Sequence, residues 1–334
     1  MIHLKIKDTD YLYLSSRIKG MQKDMLGIDG LRKLSCCKND EEAAKILEEA
    51  GFKDFVPGNL MSLEECMDRK RQEMFKVLYT YSPSKEIIDV FRLKYDYHNL
   101  KSILKANAVG EDPGPYLSDA SSIEPGRLVT IIREKQYHLL SQIMRDAVLE
   151  SEDILSRTGD PQISDMVLDK AYYLEMSEKA KLSESKFLMG LVSLMADLAN
   201  LKVIVRAKRA DKSYDYLKRA LVSGDSISIN AGMGEITPDY LESTFAGENL
   251  SKAAAEAAGA LSGEKPMSLL DKECDNAIVN YLKSARLVAF GEAHVIAYIL
   301  AFENEIVAIR QVMQGRNAKM SEEEIMERLR ESYV

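Results

Sequence analysis

Two stretches of the sequence set a carboxylate and an amide among residues that should face a protein core. They read LKYDYHNLKSILKA at 93–106 and LMADLANLKVIVRA at 194–207, the second lying 101 residues after the first. Because helical residues three apart share a face, both polar side chains of each stretch should point inward. A buried carboxylate without partners is costly, so each must find hydrogen bonds or a cation from a neighbouring element. The polar residues are Asp96 and Asn99 in the first stretch, and Asp197 and Asn200 in the second.

The two acids allow two kinds of chemistry. Carboxylates that converge from two helices can bind a divalent cation, as in enzymes built on helical bundles, which makes Asp96 and Asp197 a candidate metal site. Alternatively, each acid and amide ties its helix to a partner helix, or lines a polar channel at the centre of repeated units. The regular spacing favours the structural role, since metal motifs usually bring a second carboxylate within a turn.

A third, diverged copy of the pattern lies in ENEIVAIRQVMQG, where Glu305 replaces the acid and Ala308 replaces the amide. A second signature of an apolar residue, Asp and a base precedes each copy, at 67–69, 168–170 and 270–272. The signature acid and the motif acid are 28 residues apart in the first two copies and 34 apart in the third. We therefore predict three helical units of about 100 residues, a period too long for TPR or HEAT repeats.

Helix-forming residues dominate the chain, Trp is absent, and no alternating β-branched run bounded by hairpin turns is present. The sequence therefore predicts an all-α protein. Segments that break helices lie at 110–115, 157–161, 223–238 and 262–266, and none of them marks a domain boundary more clearly than another. From the repeat we place the three units at 1–116, 117–222 and 223–334. The predicted helices span 10–24, 40–50, 63–79, 84–107, 124–156, 164–181, 183–210, 239–258, 268–287, 292–316 and 321–332.

Basic residues close each motif toward the C-terminal end of its helix, where the helix dipole favours cations. Their simplest role is to solvate the surface. Repeated three times around an axis, they could instead form a basic ring that binds an acidic partner. The candidates for partner binding are Lys101, Lys105, Lys202, Arg206, Arg310 and Arg316.

Composition narrows the class of function further. The formal charge of −8 argues against a sequence-independent nucleic-acid binder, which needs a cationic face. The longest uncharged apolar runs, 187–196 and 293–302, are ten residues each, whereas a membrane-spanning helix needs roughly 20. No secretory signal is visible, so we expect a cytoplasmic protein. No cysteine, histidine or glycine-rich motif indicates a metal, a cofactor or a catalytic nucleophile.

Four segments together resemble a known family. They are YDYHNLKSILKA, DYLYLSSRIKGMQKDML, YILAFENEIVAIRQVMQGR and IMERLRESYV. They resemble the C subunit of V-type rotary ATPases of the archaeal and bacterial A/V type, called the d subunit in the eukaryotic enzyme. The similarity covers about residues 10–334, and its most specific part is YDYHNLK at 95–101.

The resemblance implies a non-catalytic, all-helical funnel of three pseudo-symmetric units around a central axis. Such a protein is a rotor part of the central stalk, seated on the membrane ring of ion-carrying subunits on the cytoplasmic face. It receives the shaft, formed by the D and F subunits, and passes torque between ATP turnover and proton or sodium transport. It needs no cofactor.

Some residues depart from the repeat, and two alternatives stay open. Because Ala308 lacks an amide and the third helix pair is six residues longer, the three units should not be equivalent in binding. One alternative is a helical-bundle enzyme with a divalent-metal site at Asp96 and Asp197. The other is a helical-repeat scaffold unrelated to any ATPase.

Overall fold

The computed structural model describes residues 6–222, 224–226 and 235–334, and these residues form helices without any strand. The prediction of an all-α protein is therefore confirmed for the described part of the chain. The α-helices are α1 (Leu12–Met21), α2 (Gly27–Ser35), α3 (Asp40–Glu49), α4 (Leu60–Tyr81), α5 (Glu86–Val109), α6 (Pro125–Arg133), α7 (Gln142–Thr158), α8 (Pro161–Leu182), α9 (Lys186–Arg209), α10 (Tyr214–Ala220), α11 (Pro238–Thr244), α12 (Ser251–Ser262), α13 (Met267–Lys283), α14 (Glu292–Asn317) and α15 (Glu322–Arg328).

Side-chain caps explain where many of these helices begin. The side chain of Asn59 accepts hydrogen bonds from the first amides of α4, and Ser321 forms a capping box with Glu324 at the start of α15. Such caps satisfy backbone donors that have no partner within the helix. Gly159, at φ +65°, ends α7 in the left-handed conformation that glycine adopts without strain, and α8 begins two residues later.

The chain divides into two units, and the first contains residues 1–88 and 272–334. Its central element is α14, which packs against α1, α2, α4 and α15. The residues of α14 that face these helices, including Ile296, Phe302 and Ile309, are almost completely buried. Helix α14 therefore forms the core around which the N-terminal and C-terminal helices of this unit are arranged.

The second unit contains residues 89–271. Helices α7 and α8 form an antiparallel hairpin, α9 packs against α8 and α12, and α10 contacts both α8 and α9. Leu191, Leu198 and Leu201 of α9 are fully or almost fully buried. Helix α9 thus has the same central place in this unit that α14 has in the first.

Among the described helices, α9 is long and apolar enough to cross a membrane by length and composition alone. However, 61% of its most apolar window is buried inside the protein. That burial comes from packing against α8 and α12, as expected for a core helix. The apolar part of α9 is longer than the uncharged run at 187–196 because apolar residues continue past Asp197.

Two long predicted helices are wrong, because each is interrupted in the structure. The predicted helix 124–156 breaks between α6 and α7, where Lys135 adopts φ +55°, and 239–258 breaks between α11 and α12. The apolar pattern continues through both breaks, so periodicity alone did not reveal them. The prediction also missed α2, which lies between the predicted helices 10–24 and 40–50, and the seven-residue α10, which is too short to show a period. The three repeats at 1–116, 117–222 and 223–334 stay a prediction.

Candidate functional site

Helix α5 holds the segment that follows it through two buried polar side chains. Asp96 is fully buried and accepts hydrogen bonds from the Ser122 hydroxyl at 2.6 Å and the Ile123 amide at 2.9 Å. Asn99, also fully buried, donates to the carbonyl of Ser118 at 3.0 Å and accepts from its amide at 2.8 Å. The acid and amide therefore fix the backbone that returns the chain to α6. We call this arrangement the first tie.

Helix α9 repeats this arrangement in detail. Asp197 accepts from the amide and the hydroxyl of Ser226, the latter at 2.7 Å. Asn200 donates to the carbonyl of Val222 and accepts from its amide, both at 2.9 Å. Gly224 passes so close that an added Cβ would lie 2.2 Å from a carboxylate oxygen of Asp197, which leaves no room for a larger residue. We call this the second tie.

The third motif forms a weaker version of the same contact. Glu305 of α14 accepts a hydrogen bond of 2.5 Å from the amide of Leu26, just before α2. Its other oxygen, Oε2, is buried and has no hydrogen-bond partner among the described residues. The place of the amide is taken by Ala308, which has no side-chain donor or acceptor. This third tie therefore makes one hydrogen bond where the other two make four or more.

Burial acts on all three acids. It raises the pKa of Asp96 and of Asp197, although the hydrogen bonds from Ser122, Ile123 and Ser226 oppose the shift. Burial raises the pKa of Glu305 to about 7, and the Leu26 and Gly27 amides and the Lys70 ammonium only partly counteract it. The raised pKa therefore brings the titration of the Glu305 carboxyl group, in the third tie, near neutral pH.

The basic residues of the first motif form ion pairs within the chain. Lys101 contacts Asp169 at 2.5 Å, and Lys105 contacts Asp165 at 3.2 Å, one helical turn earlier on α8. Asp169 is the acid of the second signature. The exposed end of α5 is thus joined to α8 by two parallel ion pairs.

The second and third motifs form comparable ion pairs. Arg206 of α9 donates to both carboxylate oxygens of Asp271, the acid of the third signature, at 2.8 and 3.0 Å. Arg310 of α14 donates from two nitrogens to the two oxygens of Glu64 on α4, one turn before the first signature acid, Asp68. Such two-bond contacts between arginine and a carboxylate fix orientation as well as distance.

The two remaining basic candidates differ from these four. The guanidinium of Arg316 donates to backbone carbonyls at and just beyond the end of α2, among them those of Leu34 and Cys37. It also forms an ion pair with Asp40 at 3.3 Å, and its side chain is only 11% exposed. Lys202 forms no ion pair or hydrogen bond with any described residue and lines a cavity. Binding of any of the six to another protein stays a prediction, but five of them have a role within the chain.

The arrangement is suited to hydrogen bonding rather than to metal chemistry. Within residues 6–222, 224–226 and 235–334, no group of three or more His, Cys, Asp or Glu side chains is placed to hold a metal ion. Both oxygens of Asp96 already accept hydrogen bonds from the segment after α5. The acids therefore act as buried acceptors that fix backbone.

Sequence reasoning found the acids and amides but missed their partners. Ser122 and Ser226 supply the hydroxyls, while Ser118 and Val222 supply only backbone. The serine-rich stretch SDASSIE at 118–124, immediately before the start of α6, was the available signal for the first tie. Nothing in the residue type of Val222 indicates its role, because only its backbone is used.

These features define an all-helical structural protein whose polar core residues hold its own chain together. Residues 14–328 match the family model of the ATP synthase (C/AC39) subunit, and the chain belongs to this family. The predicted resemblance is confirmed, and the alternative of an unrelated scaffold is wrong. As a member of a family of structural subunits, the chain is a non-catalytic subunit and not an enzyme.

Relatives of this family align with almost the whole chain. It is 23% identical to the C subunit of the A-type ATP synthase of Methanocaldococcus jannaschii, over 94% of this chain and 85% of the relative. It is 21% identical to the C subunit of the V-type sodium ATPase of Enterococcus hirae, over 97% and 99% respectively. It is 24% identical to the C subunit of the A-type ATP synthase of Halobacterium salinarum, over 96% and 97%.

The first prediction concerns the amide of the first tie. Replacing Asn99→Ala leaves the Ser118 amide and carbonyl without their partner, which should lower the free energy of unfolding by about 2–4 kcal/mol. Urea denaturation followed by circular dichroism measures the change. Asn107→Ala, an exposed position on the same helix, is the matched control. Equal denaturation midpoints for the two variants would contradict the assignment.

The second prediction concerns the pH dependence of the third tie. Because folding raises the pKa of Glu305 from 4.5 to about 7, its contribution to stability is fully present below pH 4.5 and is lost as the pH rises through 7. The change should amount to about 3 kcal/mol at most. Glu305→Gln removes the titration. As the pH is raised from about 5 to about 8, the denaturation midpoint of the wild type should therefore decrease relative to that of this variant. Parallel pH profiles of the two proteins would show that Glu305 does not titrate in this range.

Proposed function

We propose that the protein is a central-stalk rotor subunit of an A/V-type rotary ATPase. In this role it acts as a socket between a shaft, formed by the D and F subunits, and the membrane rotor ring. It transmits torque for ATP-coupled proton or sodium transport and lies peripherally on the cytoplasmic face through the complex. Membership of the ATP synthase (C/AC39) subunit family supports a place in such a complex.

The order of the ion pairs between motif helices and signature helices supports the proposed arrangement of this rotor subunit as three repeats around an axis. The first motif pairs with the second signature through Lys101 and Asp169, and the second with the third through Arg206 and Asp271. The third motif pairs with the helix of the first signature through Arg310. An open row would leave the last motif without a partner. A series that returns to its beginning supports three pseudo-symmetric repeats, at 1–116, 117–222 and 223–334, around a central axis.

These hydrogen bonds and ion pairs between helices suit a non-catalytic subunit that transmits mechanical force. Each tie joins a helix to backbone of another segment, and each ion pair joins that helix to a further helix, so relative sliding of helices would break several directional contacts at once. Close-packed interiors transmit strain with little compression. The three units would transmit torque unevenly, because the third tie makes fewer hydrogen bonds than the others.

Co-purification from native membranes tests the assignment directly. An affinity tag on this chain should recover the D and F shaft subunits and the ring subunit in constant proportion, and urea-stripped membranes should release the chain. Recovery of the chain without any of these subunits would contradict the proposed function.

A charge exchange separates the intrachain role of Arg310 from partner binding. Arg310→Glu should weaken both stability and shaft capture, because it places like charges against Glu64. Combining it with Glu64→Arg restores an ion pair of opposite polarity. If Arg310 serves the contact between α14 and α4, the double variant should recover both properties. If it also binds the shaft, only stability should recover. Lys208→Glu, an exposed position on α9, is the charge control.

A further inference from the structure

The ion pairs of the first and second motifs differ at one position, where the second motif lacks an acidic partner. In the first motif, Lys105 pairs with Asp165, four residues before the signature acid Asp169. The residue four positions before the next signature acid, Asp271, is Met267, which carries no charge. The second motif therefore faces one acid where the first faces two.

This loss explains why one lysine is left unmatched. Arg206 stands where the first motif has Lys105, and it takes the signature acid Asp271 through both carboxylate oxygens. Lys202 stands where the first motif has Lys101. Lys101 pairs with the signature acid Asp169, but the matching acid for Lys202 is Asp271, which Arg206 already binds. Lys202 accordingly forms no ion pair or hydrogen bond with the described residues. The second motif carries a surplus cation.

Lys202 lines a cavity of about 540 Å³ between α8, α9 and α10. Small-molecule sites commonly have volumes of roughly 300–1,000 Å³. Two tyrosines, Tyr173 and Tyr216, form part of the wall, together with the cations Arg206 and Lys212. The cavity therefore combines aromatic surface with positive charge.

The charges around this cavity do not cancel. The two acids of its wall, Asp165 and Asp169, are already paired with Lys105 and Lys101 of α5. Lys212 lies over the ring of Tyr216, with its ammonium 5.3 Å from the ring centre, and has no carboxylate partner among the described residues. Once Arg206 is matched with Asp271, two uncompensated positive charges remain in the wall, those of Lys202 and Lys212.

We propose that this cavity binds a small phosphate monoester, with the phosphate group between Lys202 and Lys212. A monoester carries nearly two negative charges at neutral pH and matches two cations, whereas a carboxylate carries one. The rings of Tyr173 and Tyr216 supply a surface for a flat or sugar-like body.

The soluble and lipid sources of such a group can be distinguished by titration calorimetry on the full chain at low salt. The probes are AMP, ribose 5-phosphate and phosphatidylcholine vesicles containing phosphatidate, with sodium sulfate as a non-ester anion. We expect a soluble ester to bind at one site per chain and sulfate to bind at least tenfold more weakly. Binding to the vesicles alone would support the phosphate chemistry and assign it to a lipid headgroup.

Two variants test the residues, with a control on the same helix. Lys202→Ala should weaken binding at least about tenfold, since a hydrogen bond to a charged group is lost, while Lys208→Ala should stay within about twofold. Met267→Asp restores the missing acid, frees Asp271 for Lys202, and should also weaken binding at least tenfold. The proposal is overturned if no phosphate probe binds, if sulfate binds equally well, if Lys202→Ala and Lys208→Ala behave alike, or if Met267→Asp binds as the wild type does. Its failure would leave the proposed rotor function untouched, because none of these measurements involves the complex.

Discussion

Burial of a carboxylate beside an amide on the apolar face of a helix is the constraint from which most of this structure follows. Removing Asp96 or Asp197 from water is unfavourable unless donors replace the lost hydration. The donors lie outside regular secondary structure, where backbone groups need partners of their own: the Ser122 hydroxyl and the Ile123 amide serve Asp96, and the Ser226 amide and hydroxyl serve Asp197. Each side therefore satisfies the other, and a slip by one residue would leave both unsatisfied.

The third tie shows what happens when this constraint is relaxed. Ala308 removes the two backbone hydrogen bonds that an asparagine makes in the other motifs, and Glu305 keeps a single contact with the Leu26 amide. The remaining carboxylate oxygen is buried without a donor among the described residues, which is why burial dominates its pKa. Stability in that region must come instead from the apolar packing of α14, whose residues Phe302 and Ile309 are buried against neighbouring helices. The motif that makes fewest hydrogen bonds thus lies on the most deeply buried helix of its unit.

Sequence periodicity predicted the elements that are long and regular, and it failed where the structure depends on a single backbone contact. It placed Asp96 and Asn99 on the inward face of α5 correctly, because a helical period of about 3.6 residues dictates which side chains share a face. It could not identify Val222 as the partner of Asn200, because Val222 contributes only peptide groups. It also could not indicate that the guanidinium of Arg316 contacts carbonyls nearly three hundred residues earlier in the chain, a distance over which no local pattern carries information.

The basic residues present a conflict between holding the chain and binding a partner. An acidic partner that approached Lys101 or Arg310 would have to displace the carboxylate already bound there, and the displaced carboxylate would lie beside the incoming one. The Arg206 side chain, 58% exposed, keeps more of its hydration and is more accessible, but both its contacts to Asp271 would still be exchanged rather than gained. Exposed ion pairs contribute only about 0–1 kcal/mol each. Replacing an intrachain carboxylate by one from a partner would therefore cost little stability, but it would also add little binding free energy. Net attraction for an anion is therefore strongest where no acid is displaced, and of the six motif bases that describes Lys202.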